Sequence, residues 1–155
     1  MTYLTLFVVI PVLMLFGLWL AKNDNQVRGV MVAGATALLG LSIYLVFDFV
    51  ATREVMPADQ YPMILGDTIP WFQPFHINFA TGVDGISVVM ILLSGIIVFT
   101  GTFASWQMQP MKKEYFLWFV LLSTGVFGFF ISKDLFTMFM FYEVALIPMY
   151  LLIGV

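Results

Sequence analysis

The chain has 155 residues, 62% of them hydrophobic and only 10% charged, against roughly 45–50% and about 25% in a soluble domain; too little polar surface remains to clothe a water-soluble globule, and an integral membrane protein is predicted. With no cysteine and a single histidine, His76, the chain cannot build a disulfide frame, a thiolate iron–sulfur or zinc site, or a bis-histidine haem. The net charge of −3 argues against nucleic-acid binding.

The first apolar run is Tyr3 to Ala21. Met1 to Ala21 lacks a positively charged start and a small-x-small cleavage site, so it reads as a spanning helix and not as a signal peptide. The second run is Gly29 to Phe47, the third about Gly85 to Trp106, the fourth Tyr115 to Ile131 and the fifth Leu135 to Gly154. Each is long enough to cross a hydrocarbon core of about 30 Å, which takes roughly 17–25 helical residues. Helices are required because an unpaired backbone amide in lipid costs several kcal/mol, and the alternation of barrel strands is absent. Residues 1–155 thus read as one all-α membrane domain.

The connections differ in length. "KNDNQVR" and "QMQPMKKE" are short and basic or mixed, and "SKD" (Ser132, Lys133, Asp134) leaves room only for a tight hairpin, making the fourth and fifth helices antiparallel neighbours. The long connection, about Asp48 to Asp84, carries Pro57, Pro62, Pro70 and Pro74 and is predicted to be irregular. Within it "FHINFATG" alternates like a short strand on the membrane surface, and Trp71 and Phe72 suit the headgroup zone. Lys22, Arg28, Lys112 and Lys113 flank one side of the membrane, Arg53 and Lys133 the other. By the positive-inside rule the N-terminus and the long loop are then outside. Gly29, Ala33 and Ala37 recur every fourth residue; this spacing suits close helix approach, and equally the general richness of membrane helices in small residues.

One residue in the fifth run stands apart. Glu143 lies about 12 Å from the start of that helix at about 1.5 Å per residue, in the middle third of the bilayer. A charge there costs about 2.5–3.5 kcal/mol on insertion scales, and a glutamate is too short to reach either interface. Glu143 must therefore face the protein interior, find a cationic or hydrogen-bonding partner, or stay protonated. Balanced between desolvation and a cation, such a group can take up and release a proton. Pro148 lacks an N–H and frees the carbonyl of Val144, so a kink and a polar pocket are predicted beside the acid. The plainer reading is that Glu143 stitches two helices together by a hydrogen bond; ionisable residues at this depth favour the functional one.

The remaining polar residues read as structural. Asp84 in "GVDGIS" is predicted to cap the third helix through the amide of Ile86 or Ser87. Lys133 and Asp134 fit a solvated hairpin, with Asp134 favourable at a helix N-terminus. Asp48 fits an exposed helix end, and His76 an interfacial position of no special role. No nucleotide-binding glycine motif and no metal-ligand set occurs.

"ATGVDGISVVMILLSG", "FTGTFASW" and "YEVALIPMYLLIGV" together resemble the antiporter-like subunit M, or chain 4, of the proton-pumping NADH:quinone oxidoreductase, respiratory complex I. The resemblance covers essentially the whole chain, by pattern more than by motif over its first part. It implies a larger bundle of inverted repeats with discontinuous helices, of which this chain would be a truncated N-terminal part. It also implies a proton path through a glutamate that matches Glu143 and through lysines on later helices. No cofactor is then expected in this chain; NADH, flavin, iron–sulfur clusters and quinone would belong to partner subunits. The implied partners are the other membrane-arm subunits and the bilayer, with no soluble small-molecule substrate, in a bacterial plasma membrane. Two alternatives stay open, a subunit of a multi-subunit sodium/proton antiporter and a non-transport membrane scaffold.

Overall fold

The computed structural model describes residues 3–57, 64–107 and 113–154; the expectations for Pro62 and Lys112 lie outside them. A 3-10 turn, Tyr3–Thr5, leads into α1 (Leu6–Leu20), followed by α2 (Asp24–Val55). The strands β1 (Ile64–Phe72) and β2 (Ile77–Val83) come next, then α3 (Gly85–Ala104), α4 (Lys113–Ile131) and α5 (Leu135–Ile153). All five helices are long and apolar enough to cross a membrane.

The boundaries of α1, α3, α4 and α5 fall within a few residues of those predicted, because apolar content changes sharply at each end. α2 does not follow suit. It continues past Phe47 to Val55, 32 residues in all, or about 48 Å at 1.5 Å per residue. Asp48, Thr52, Arg53 and Glu54 interrupt the apolar pattern but not the helix. The Thr52 hydroxyl donates to the Asp48 carbonyl at 2.7 Å, and the Tyr3 hydroxyl donates to the Asp48 carboxylate at 2.5 Å. Asp48 is therefore a half-buried anchor between α2 and the 3-10 turn that leads into α1, not a merely exposed helix end.

The long connection is more regular than its prolines suggest. β1 and β2 form an antiparallel hairpin, with Asp67 opposite Thr81 and Ile69 opposite Phe79. Pro70 is accommodated on this two-stranded ribbon, where among the described residues no third strand needs its missing N–H. At the tip, a 3-10 turn Gln73–Phe75 ends on His76, whose φ of 52° is left-handed. Trp71, Phe72 and Phe75 project outward there.

β2 also docks on the helices. The Lys133 N–H donates to the Ala80 carbonyl at 2.8 Å, Thr81 and Ser132 form an antiparallel bridge, and Phe79 meets Phe141 edge-on at 6.2 Å. Thus the turn between α4 and α5 is tight, as the three residues "SKD" require, and is held from above by the hairpin.

At the opposite end the cations close the helices. Lys113 Nζ donates to the carbonyls of Trp19 and Ala21 at 2.7 and 2.8 Å, where the negative end of the α1 dipole attracts a cation. Arg28 donates to the Trp106 carbonyl at 3.1 Å and lies over its ring at 5.1 Å. Lys22, Arg28 and Lys113 thus share one end of the bundle, as the charge pattern predicts.

Lipid tails are as apolar as leucine, so helices associate by close packing. α4 makes the most extensive contact with α5, through two glycines. A Cβ on Gly125 would stand 2.7 Å from the Ala145 amide nitrogen, and one on Gly128 would stand 2.2 Å from the Phe141 ring. Gly34 gives way to Met14 and Gly95 to Ser42 in the same manner. Gly29, Ala33 and Ala37 are instead exposed, and a Cβ on Gly29 would meet nothing within 4 Å. The periodicity was real; its face was not the packing face of this bundle.

Candidate functional site

Glu143 lies in the ninth position of α5, a helix of 19 residues, which puts it near mid-span. The buried stripe of α5 is Thr137, Phe141 and Pro148, the face turned to α4. Glu143 follows Phe141 by two residues, about 200° around the helix at about 100° per residue. It is consequently exposed, in line with Phe139, Ile147 and Tyr150. Among the described residues no side-chain or backbone donor reaches its carboxylate. Of the outcomes open to Glu143, an interior position against α1–α4 is not the one formed among the described residues; it looks out from the side of α5 that these helices leave uncovered.

α5 is the least covered of the helices, with 17% of its span buried against 44% for α4. It runs unbroken through Pro148, which is buried. One cleft on α5 is lined by Tyr150, Leu151, Ile153 and Gly154, nearly two turns beyond Glu143.

Asp84 does what its motif predicts. Its carboxylate accepts from the Ser87 amide at 2.7 Å, and that bond to the backbone N–H holds the carboxyl below its ordinary range, with burial opposing. It aligns the start of α3 and is remote in role from Glu143. Lys133 has an exposed side chain, and Asp134 precedes α5 without a side-chain cap. His76 is exposed at the hairpin tip. Among the described residues no group of three or more histidine, aspartate or glutamate side chains is placed to hold a metal.

Sequence reasoning missed two polar sites. The Tyr3–Asp48 bond joins residues 45 apart, a long-range pairing that no local pattern announces. Thr137 is fully buried with its Oγ1 unpartnered among the described residues; a lone threonine in an apolar run gives no sign of which face it takes.

Five apolar crossing helices with a surface hairpin define a multi-pass, all-α membrane protein. The comparisons with known proteins bear out the resemblance to subunit M. NADH-quinone oxidoreductase subunit M of Buchnera aphidicola is 33% identical over 156 residues, covering 97% of this chain and 30% of that protein. NAD(P)H-quinone oxidoreductase chain 4 of a Synechococcus strain is 28% identical over 153 residues, covering 99% of this chain and 28% of that protein. The chain thus spans under a third of the length of these relatives. No protein-family model matches it. In fold it is similar to a chain of respiratory complex I from Thermus thermophilus with bound NADH, at a TM-score of 0.73 and 23% identity, over 96% of this chain and 28% of that one. It is comparably similar, at a TM-score of 0.72 and 19% identity over 96% of this chain and 29% of the other, to a chain of the membrane-bound sulfane sulfur reductase, an archaeal respiratory membrane complex.

Proposed function

We propose that this chain forms part of a proton-translocating membrane-arm subunit of NADH:quinone oxidoreductase, in a bacterial plasma membrane, with Glu143 as a proton carrier. The carrying observation is the 33% identity to a subunit M across 97% of the chain, joined to a carboxylate at mid-span of α5. The two structural neighbours show that the fold alone serves more than one respiratory complex. The names of the curated relatives favour the quinone oxidoreductase over a sodium/proton antiporter.

The physics of Glu143 supports a transfer role over a stitching one. Ionisable residues at this depth are mostly functional, and in either reading the partner of Glu143 does not come from the described residues of α1–α4. A charge at mid-membrane costs about 2.5–3.5 kcal/mol, so in this reading a basic group or water from the rest of the subunit reaches the face of α5 that carries Glu143 and exchanges a proton with it. Motion of that partner, coupled to quinone reduction in other subunits, loads and unloads one proton. No bond in an organic substrate is made or broken by this chain. NADH, flavin, iron–sulfur clusters and quinone belong in this reading to the partner subunits.

The test is NADH-driven proton uptake in inverted membrane vesicles carrying Glu143→Gln in the full-length subunit, assembled in its complex. Proton uptake is expected to fall severely, and Glu143→Asp to keep part of it. Wild-type proton uptake in the glutamine variant would overturn the proposal and leave the scaffold reading.

A further inference from the structure

Five buried hydroxyls share one habit. Ser42 donates to the Leu38 carbonyl, Thr102 to Val98, Ser123 to Phe119, Thr124 to Val120 and Ser132 to Gly128, each four residues back. Thr137 breaks it. It is 0% exposed, and its Oγ1 has no partner among the described residues. Four residues back stands Lys133, which precedes α5 and so lies outside any helix, and whose N–H donates to the Ala80 carbonyl of β2.

A second observation falls at the same place. Thr137 is the third residue of α5, and Asp134, which precedes that helix, makes no side-chain cap. The first amides of a helix have no intrahelical acceptor, so donors without a capping side chain stand beside a hydroxyl without a partner. Thr81 and Ser132, both buried, are bridged to each other at the turn that leads into α5. An unsatisfied buried hydroxyl costs about 1–3 kcal/mol, and native proteins pair such groups with protein or ordered water.

We propose that Thr137 binds an ordered water at the junction of the first turn of α5, the turn Ser132–Asp134 and strand β2. The water accepts from or donates to Thr137 Oγ1 and accepts from an uncapped first-turn amide, within the usual two to four polar contacts of a buried water. It lies at the interfacial end of the helix, where water is at hand. This site is independent of the role of Glu143.

The experiment is a density map of the assembled complex at a resolution that shows ordered water, for the wild type, Thr137→Ser and Thr137→Val. A peak about 2.7–2.8 Å from Oγ1 is expected in the wild type and the serine variant, and its loss in the valine variant. A wild-type map in which Oγ1 donates to the Lys133 carbonyl or another protein acceptor, with no such peak, overturns the proposal. The wild-type map decides alone should the valine variant fail to assemble.

Discussion

Asp84 shows how a single carboxylate links local sequence to pH. Its bond from the Ser87 amide stabilises the charged form, so the folded group titrates below the ordinary aspartate value of about 3.9. A depressed folded value means the contribution is fully present above the unfolded value and is lost as pH falls through the folded one. Asp84→Asn keeps the capping oxygen and removes the titration. Its thermal midpoint in detergent should fall less steeply than wild type below about pH 4, while Asp84→Ala should cost about 1 kcal/mol at neutral pH. Equal pH slopes for wild type and asparagine would contradict this account. Tyr3→Phe removes the hydroxyl bonded to Asp48 and should lower stability by about 1 kcal/mol, read from the same unfolding curves. Asp84 was legible because "GVDGIS" places a capping residue directly before an apolar run. Asp48 was not, because its partner lies at the other end of the first two helices.

At the scale of the elements, glycine decides which helices touch. Gly125→Ala would drive a methyl to within 2.7 Å of the α5 backbone at Ala145. Overpacking of this kind costs typically about 1–3 kcal/mol, and the variant should unfold at lower temperature than wild type. Gly29→Ala, with open space around the new methyl, should be neutral or stabilising, since alanine is the better helix former by about 0.8–1.0 kcal/mol. A stability loss as large at Gly29 as at Gly125 would reverse this assignment of faces. Five spans could be read from sequence because lipid imposes length and apolarity on every one of them. Strand β2 could be read from its alternation. Strand β1 could not: "ILGDTIPWF" contains a glycine and a proline, both depleted in strands, and it forms only as the partner of β2. The tail of α2 was hidden because a hydropathy pattern stops at Asp48, whereas helix propensity continues through Ala51, Arg53 and Glu54.

For the molecule as a whole, α4 is covered by its neighbours among the described residues while α5 turns a broad apolar face outward, and Glu143 belongs to that face. That an acid stands near the middle of α5 was legible from its position in an apolar run. Its direction was not, because the orientation of a helix depends on the seam formed by Gly125, Gly128, Ala145 and Phe141. Infrared difference spectroscopy of the assembled complex during turnover tests whether this acid changes its protonation. We predict a carboxyl C=O difference band that shifts in heavy water and disappears in Glu143→Gln. Turnover with no such band, or with a band that persists in the glutamine variant, would contradict proton carriage by Glu143.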